Sequence, residues 1–322
     1  MLTMNWHFGL AQMHYTGLPI GTWIAWRDER GLRRALTNVG LRSLDAPRPI
    51  EGAADLVVMI GESETSSHWR LFGYARDTTP RMDDYAGRGL LLPLPGVTTR
   101  YAETRRSLMR FLTDAKFDDK LCGSWTLSAR LRFAGYEPVL ISRQKERAGT
   151  DLHEVFNGCD ERVYPLSEGG DGAGFDEALV PAVRRVLAVP RRRPLALFVH
   201  FSGLHFPLEG VYPEDAGRFP AVGEPAESRI DRYDNAVRYE DEVRGRILDL
   251  LMAHPRPAMA LFVSDHGESP SSRTWRDSAD PDCYAVPAFL FRNRSDLAFP
   301  AADVRSIDGL TDLLLSLTPV PR

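Results

Sequence analysis

Five short runs rich in branched and aromatic apolar residues, at 55–60, 138–142, 195–201, 259–264 and 285–291, restrict the fold more than any other feature. Each has the length of a strand, and most lack strict alternation between apolar and polar positions. That is the pattern of a strand covered on both faces. Amphipathic stretches with helical spacing lie around and between them, at 104–115, 125–134, 177–188, 230–253 and 307–317. Short buried strands interleaved with helices predict an α/β protein, a three-layer α/β/α sandwich around a mostly parallel central sheet.

In such a sheet the carboxyl ends of different strands meet along one edge, so residues distant in sequence can surround one ligand. Two runs end in chemistry. Leu261-Phe262-Val263-Ser264 is followed by Asp265-His266-Gly267-Glu268, and Val57-Val58-Met59-Ile60 by Gly61-Glu62-Ser63. An acid and an imidazole side by side supply a hard oxygen and a borderline nitrogen, which is half of a zinc site. Glu62 is the candidate from the second strand end.

The 322 residues, 43% hydrophobic, are enough to bury the core of one large domain or two modest ones. Forty basic residues nearly balance 44 acidic ones, for a net charge of -4, which gives no bulk attraction to nucleic acid. No run approaches the roughly 18 apolar residues of a membrane span, and the start lacks the basic-then-apolar order of a secretion signal. Cys122, Cys159 and Cys283 are too few and too scattered for a disulfide framework. One bridge with a spare thiol, or three reduced thiols, both satisfy the count. Residues 1–50 read as a linker-like segment, aromatic and apolar to Trp26 and then basic; the α/β pattern occupies 51–322.

Gly61-Glu62-Ser63 is followed by Gly73-Tyr74-Ala75-Arg76-Asp77-Thr78-Thr79-Pro80, then Arg132-Phe133-Ala134-Gly135-Tyr136, Tyr233-Asp234-Asn235-Ala236-Val237-Arg238-Tyr239 and Ser264-Asp265-His266-Gly267-Glu268-Ser269. Together these motifs resemble the phosphoethanolamine transferases of the alkaline phosphatase superfamily, over most of the chain. The resemblance implies an alkaline phosphatase-like, sulfatase-like catalytic domain at 51–322. In that family this domain hangs from an N-terminal bundle of membrane helices and faces the periplasm. The bundle is missing here, and the first fifty residues resemble only the joining segment. The resemblance also implies zinc, one ion with a second left open, and a phosphatidylethanolamine donor at a membrane surface. The acceptor would be a glycan or a lipid A or lipopolysaccharide sugar, and no nucleic acid is expected.

The family's nucleophile is a threonine that carries the phosphoethanolamine group covalently, and Thr104, three positions before Ser107, fits its frame; Thr99 and Thr98 are the fallback. Zinc would lower the pKa of the hydroxyl and neutralise charge as the new bond forms. Glu62, Asp265 and His266 would then be three ligands and Thr104 the fourth. A threonine before an amphipathic run is also an ordinary N-cap. His205 stands where the family carries a histidine that contacts substrate phosphate or a second zinc. The family's further histidine after the Asp-His-Gly-Glu motif is absent, with Arg273 or Arg276 as possible phosphate clamps in its place, and a family asparagine near Ser142-Arg143-Gln144 is replaced.

Other motif residues read more simply. Asp234 and Asn235 would brace loops behind the site, His200 would be a core histidine, His68 a loop residue, and Glu268 a hydrogen-bond acceptor outside the metal shell. Arg105, Arg106 and Arg110 form a solvated face that could also draw in anions. Two other readings compete: a phosphodiesterase or sulfatase-like hydrolase, and a noncatalytic binding module. The Cys/Ser-x-Pro-x-Arg frame of sulfatases is not found near Thr104.

Overall fold

The five apolar runs become the interior strands of one sheet. A computed structural model describes residues 52–114, 125–144, 154–165, 174–222, 225–272 and 278–318. In chain order the elements are β1 (Asp55–Gly61), α1 (Pro80–Gly87), β2 (Leu91–Pro93), α2 (Thr104–Leu112), α3 (Leu127–Phe133), β3 (Glu137–Ser142) and β4 (Glu161–Val163). They continue with α4 (Leu179–Ala188), β5 (Leu195–His200), α5 (Pro225–Met252), β6 (Ala258–Ser264), β7 (Ala288–Arg292) and α6 (Ile307–Ser316). The described strands form a seven-stranded sheet in the order β2-β7-β6-β1-β5-β3-β4. All pairs from β6 to β4 are parallel, and β7 joins both β6 and β2 antiparallel.

Every residue of β1 is buried, and its side chains divide between two cores. Val57 and Met59 pack with Met82 of α1, Val183 of α4 and Ile247 of α5. Leu56, Val58 and Ile60 pack on the other face with Leu108 of α2, Leu131 of α3 and Leu310 of α6. Helices therefore cover both faces, as the unalternating strand composition requires. The expected three-layer α/β/α fold is present.

The expected elements start and stop within a few residues of the observed ones. The fifth run begins as a strand only at Ala288, because Ala285 makes an isolated bridge to Thr98 instead. The helix expected to reach residue 115 ends at Leu112, where Thr113 turns its hydroxyl back to the Met109 carbonyl at 2.7 Å.

Asp55 fixes the amino-terminal edge of the sheet. It is buried at the start of β1 and accepts from Leu195 N of β5 at 2.8 Å, His254 Nε2 at 2.9 Å and Arg256 Nη2 at 3.2 Å. Asp55→Ala strands that amide and leaves Arg256 without this counterion, and it should cost about 3 kcal/mol of stability. A urea unfolding curve measures the loss.

Candidate metal centre and nucleophile

The site assembles at the opposite edge. β1 and β6 are parallel neighbours, with Gly61 registered against Ser264, so the residues that follow each strand emerge together. Glu62, Asp265 and His266 are all buried, and one ligand atom of each lies within 4.8 Å of the others. His266 Nε2 is 3.4 Å from Glu62 Oε1 and 3.6 Å from Asp265 Oδ2. Thr104, the first residue of α2, brings Oγ1 to 3.1 Å from Glu62 Oε2 and 3.4 Å from His266 Nε2.

These separations suit a small tetrahedral cation, because bonds of about 2.0–2.2 Å place ligand atoms roughly 3.3–3.6 Å apart. Asp265 Oδ2 is buried and, among the described residues, accepts no hydrogen bond. A carboxylate oxygen left so is costly unless a cation meets it. His266 Nδ1 lies 2.8 Å from the Gly267 carbonyl, which fixes the proton there and leaves Nε2 as a donor to metal. The residues present fit zinc.

Without an ion the cluster shares protons. Burial alone would lower the His266 pKa, but the charge of Asp265 and the hydrogen bond to Glu62 push it up to about 10. Burial also opposes charge on Glu62, yet its hydrogen bond to His266 and the imidazolium charge hold that carboxyl well below the usual range. Burial, together with the charge on Glu62, pushes Asp265 up to about 6.

The surrounding turns are tightly built. Ser63 N donates to Asp265 Oδ1 at 3.1 Å, and Ser63 Oγ to Glu62 Oε1 at 2.7 Å. Gly203, at φ 53°, presses on Glu62; a Cβ there would stand 2.8 Å from the Glu62 carbonyl oxygen. At Gly267 a Cβ would stand 1.9 Å from the Asp282 carbonyl oxygen, so that turn admits no side chain.

Gln144, two residues beyond β3, was not singled out as a site residue. Its Nε2 donates to Glu62 Oε2 at 2.9 Å and to the Phe201 carbonyl at 3.1 Å. The available signal was position: it too follows a strand at the carboxyl edge.

The other candidates resolve individually. Thr98 Oγ1 donates to the Arg305 carbonyl and Thr99 Oγ1 pairs with Ser107 Oγ at 2.7 Å, so neither fallback threonine joins the cluster. Thr104 is not an N-cap; Glu103 caps α2 by accepting from Arg106 N. His205 is exposed on the loop after β5 with Nδ1 2.8 Å from the Phe206 carbonyl, outside the ligand group. Arg106 and Arg110 are paired with Glu103 and Asp308 rather than forming a free cationic face.

Glu268 accepts from Ser63 Oγ at 3.4 Å, and His200 is buried, 3.2 Å from Ser142 Oγ. Asp234 and Asn235 brace loops, as expected: Asp234 meets His68, Tyr74 and Arg76, while Asn235 Oδ1 accepts from Arg218 N and Phe219 N. Arg273 and Arg276 lie outside the described residues.

The profile of the family described as Sulfatase matches residues 54–319. The chain is 28% identical over 258 residues to phosphoethanolamine transferase EptC of Escherichia coli K12, covering 73% of this chain and 44% of that protein. It is 25% identical over 291 residues to the Kdo(2)-lipid A phosphoethanolamine 7''-transferase of Salmonella typhimurium, covering 85% of this chain and 50% of that protein. The chain thus spans about half the length of the curated relatives it matches. The crystal structure of the C-terminal periplasmic domain of E. coli EptC, in complex with Zn, superposes with a TM-score of 0.73 at 24% identity, covering 85% of this chain and 86% of that one.

Proposed function

Because the chain belongs to the Sulfatase family, we propose that residues 51–322 are a zinc-dependent phosphoethanolamine transferase catalytic domain in which Thr104 is the nucleophile. The observation that carries the reading is the Thr104 hydroxyl, held within 3.4 Å of both Glu62 and His266 at the start of a helix. Glu62, Asp265, His266 and Thr104 would hold the ion. Zinc at such a site acidifies a hydroxyl and neutralises developing charge on a phosphoryl group.

The chain's own residues do the rest. Thr104 Oγ1 gives up its proton and attacks the phosphorus of a phosphatidylethanolamine headgroup; the bond to glycerol breaks, and diacylglycerol leaves with a proton. An acceptor hydroxyl then attacks the phosphothreonine, takes the phosphoethanolamine group and returns the hydroxyl of Thr104. The positive end of the α2 dipole, at Thr104, favours the anionic adduct. Gln144 and Ser63 keep the Glu62 carboxylate turned to the cluster. His205, on the loop beside Glu62, would meet the phosphate of the incoming substrate.

The name of the Salmonella relative supports a lipid A-type acceptor, and that of the EptC structure a periplasmic site of action. Among the described residues no helix is long and apolar enough to cross a membrane. Incubation of zinc-loaded protein with phosphatidylethanolamine should add one phosphoethanolamine group to Thr104, read by intact and peptide mass spectrometry. Release of free phosphoethanolamine with no adduct and no transfer to a lipid A acceptor would favour a hydrolase instead.

A further inference from the structure

The turn that carries Glu62 is closed from behind by a single hydroxyl. Ser63 sits at φ 60°, a left-handed conformation that a residue with a side chain keeps only when its surroundings impose it. From that conformation its amide reaches Asp265 Oδ1 and its Oγ reaches Glu62 Oε1, so one residue touches two carboxylates of the cluster. The Tyr233 hydroxyl donates to the Ser63 carbonyl at 2.9 Å, and the hydroxyl oxygen accepts from Thr65 N at 2.7 Å. One phenol thus grips the backbone on both sides of Glu64.

We propose that Tyr233 is a positioning residue for the metal centre: its hydroxyl holds Ser63 in the strained conformation from which the Glu62 and Asp265 carboxylates converge. The inference rests on the zinc-binding reading above. Tyr233 is fully buried on α5, and that helix is itself fixed to the segment after β1, where Asp234 meets His68 Nδ1 at 2.6 Å and Tyr74 Oη at 2.9 Å. The hydroxyl is therefore a stationary point against which the turn is set. Burial pushes the phenol pKa well above its ordinary value, so the group keeps the proton it donates to Ser63. With the oxygen gone, the Ser63 carbonyl and Thr65 amide lose a shared partner. Ser63 is then free to relax toward negative φ, which carries its amide and Oγ away from the two carboxylates.

Tyr233→Phe deletes that oxygen and leaves the ring packed against His68. Zinc affinity, measured by chelator competition, should fall by about 10–100-fold, the range usual for groups that orient metal ligands. The decisive comparison repeats the change in a Ser63→Gly background, where φ 60° carries little cost. There the loss should shrink to less than about threefold, because the two sites are coupled. Equal losses in both backgrounds would mean that the hydroxyl serves packing alone, and would overturn the proposal, as would unchanged affinity in Tyr233→Phe. Should that variant not fold, Ser63→Val tests the same turn from the other side. A β-branched residue disfavours φ 60°, so its zinc affinity should drop comparably, and undiminished affinity sinks the proposal. Wild-type protein that takes up no zinc refutes the zinc reading and this proposal with it. Zinc uptake indifferent to the hydroxyl refutes the proposal alone.

Discussion

Thr104→Ala is expected to abolish the covalent adduct and to lower transfer by at least about 10⁴-fold, the scale seen when a nucleophile is removed from a preorganised site. The fold should survive the change. Glu103, not Thr104, caps α2, and the helix buries Leu108, Met109, Phe111 and Leu112 whatever residue stands at its start. An unchanged unfolding midpoint beside lost activity is therefore the expected pair of results. Thr104→Ser, which keeps a hydroxyl, should retain measurable adduct formation. If Thr104→Ala still accumulates a phosphoethanolamine adduct, the nucleophile lies elsewhere. Thr99 is then a poor second, since its hydroxyl is already paired with Ser107.

Asp265→Ala, or removal of the metal with a chelator, should have the next largest effect. Deleting Asp265 takes away a carboxylate oxygen that, among the described residues, has no hydrogen-bonding partner, and it removes the acceptor that Ser63 N and His266 N share. Zinc affinity should fall by more than about 100-fold, beyond the usual cost of losing a group that only orients a ligand. Chelation should expose the cluster's own electrostatics. In the metal-free protein the His266 pKa stands near 10 against an ordinary 6.5. A base whose pKa is raised on folding adds stability that is complete below about pH 6.5 and is lost as pH rises through about 10. The chelated protein should therefore melt progressively lower from pH 7 to pH 10. Zinc uptake near neutral pH should release a proton, measurable by titration calorimetry in buffers of different ionisation enthalpy. No dependence on buffer would show that His266 is already neutral.

The central sheet was legible because strands covered on both faces carry a composition that little else requires. The acid and histidine at the end of β6 were legible for the same reason: a long apolar run that stops on charged residues marks a sheet edge. β2 and β4, three residues each, have no period to detect. The helix α1 was overlooked although Thr79-Pro80 offers a proline at its first position, because only Met82 and Tyr85 of its residues are buried and the apolar stripe is thin. Gln144 and Tyr233 were not seen as parts of the site, since each acts through a single atom on a backbone or carboxylate brought near by tertiary folding. Spacing along a chain does not encode such contacts. Arg110 looked free because its partner Asp308 lies nearly two hundred residues away.

Because two of the turns proposed to bind metal are direct continuations of adjacent, fully buried central strands, β1 and β6, loosening the centre means unzipping hydrogen bonds in the middle of the sheet. Amide exchange there should report global opening rather than local breathing. The loop after β5 is bound to the centre where Gly203 presses on Glu62 and Leu204 N donates to the Glu62 carbonyl, but from Glu209 onward it runs over the surface and can change length or composition while the reactive centre keeps its shape. Recipient choice can thus diverge among descendants of this scaffold without any retuning of the ion's coordination.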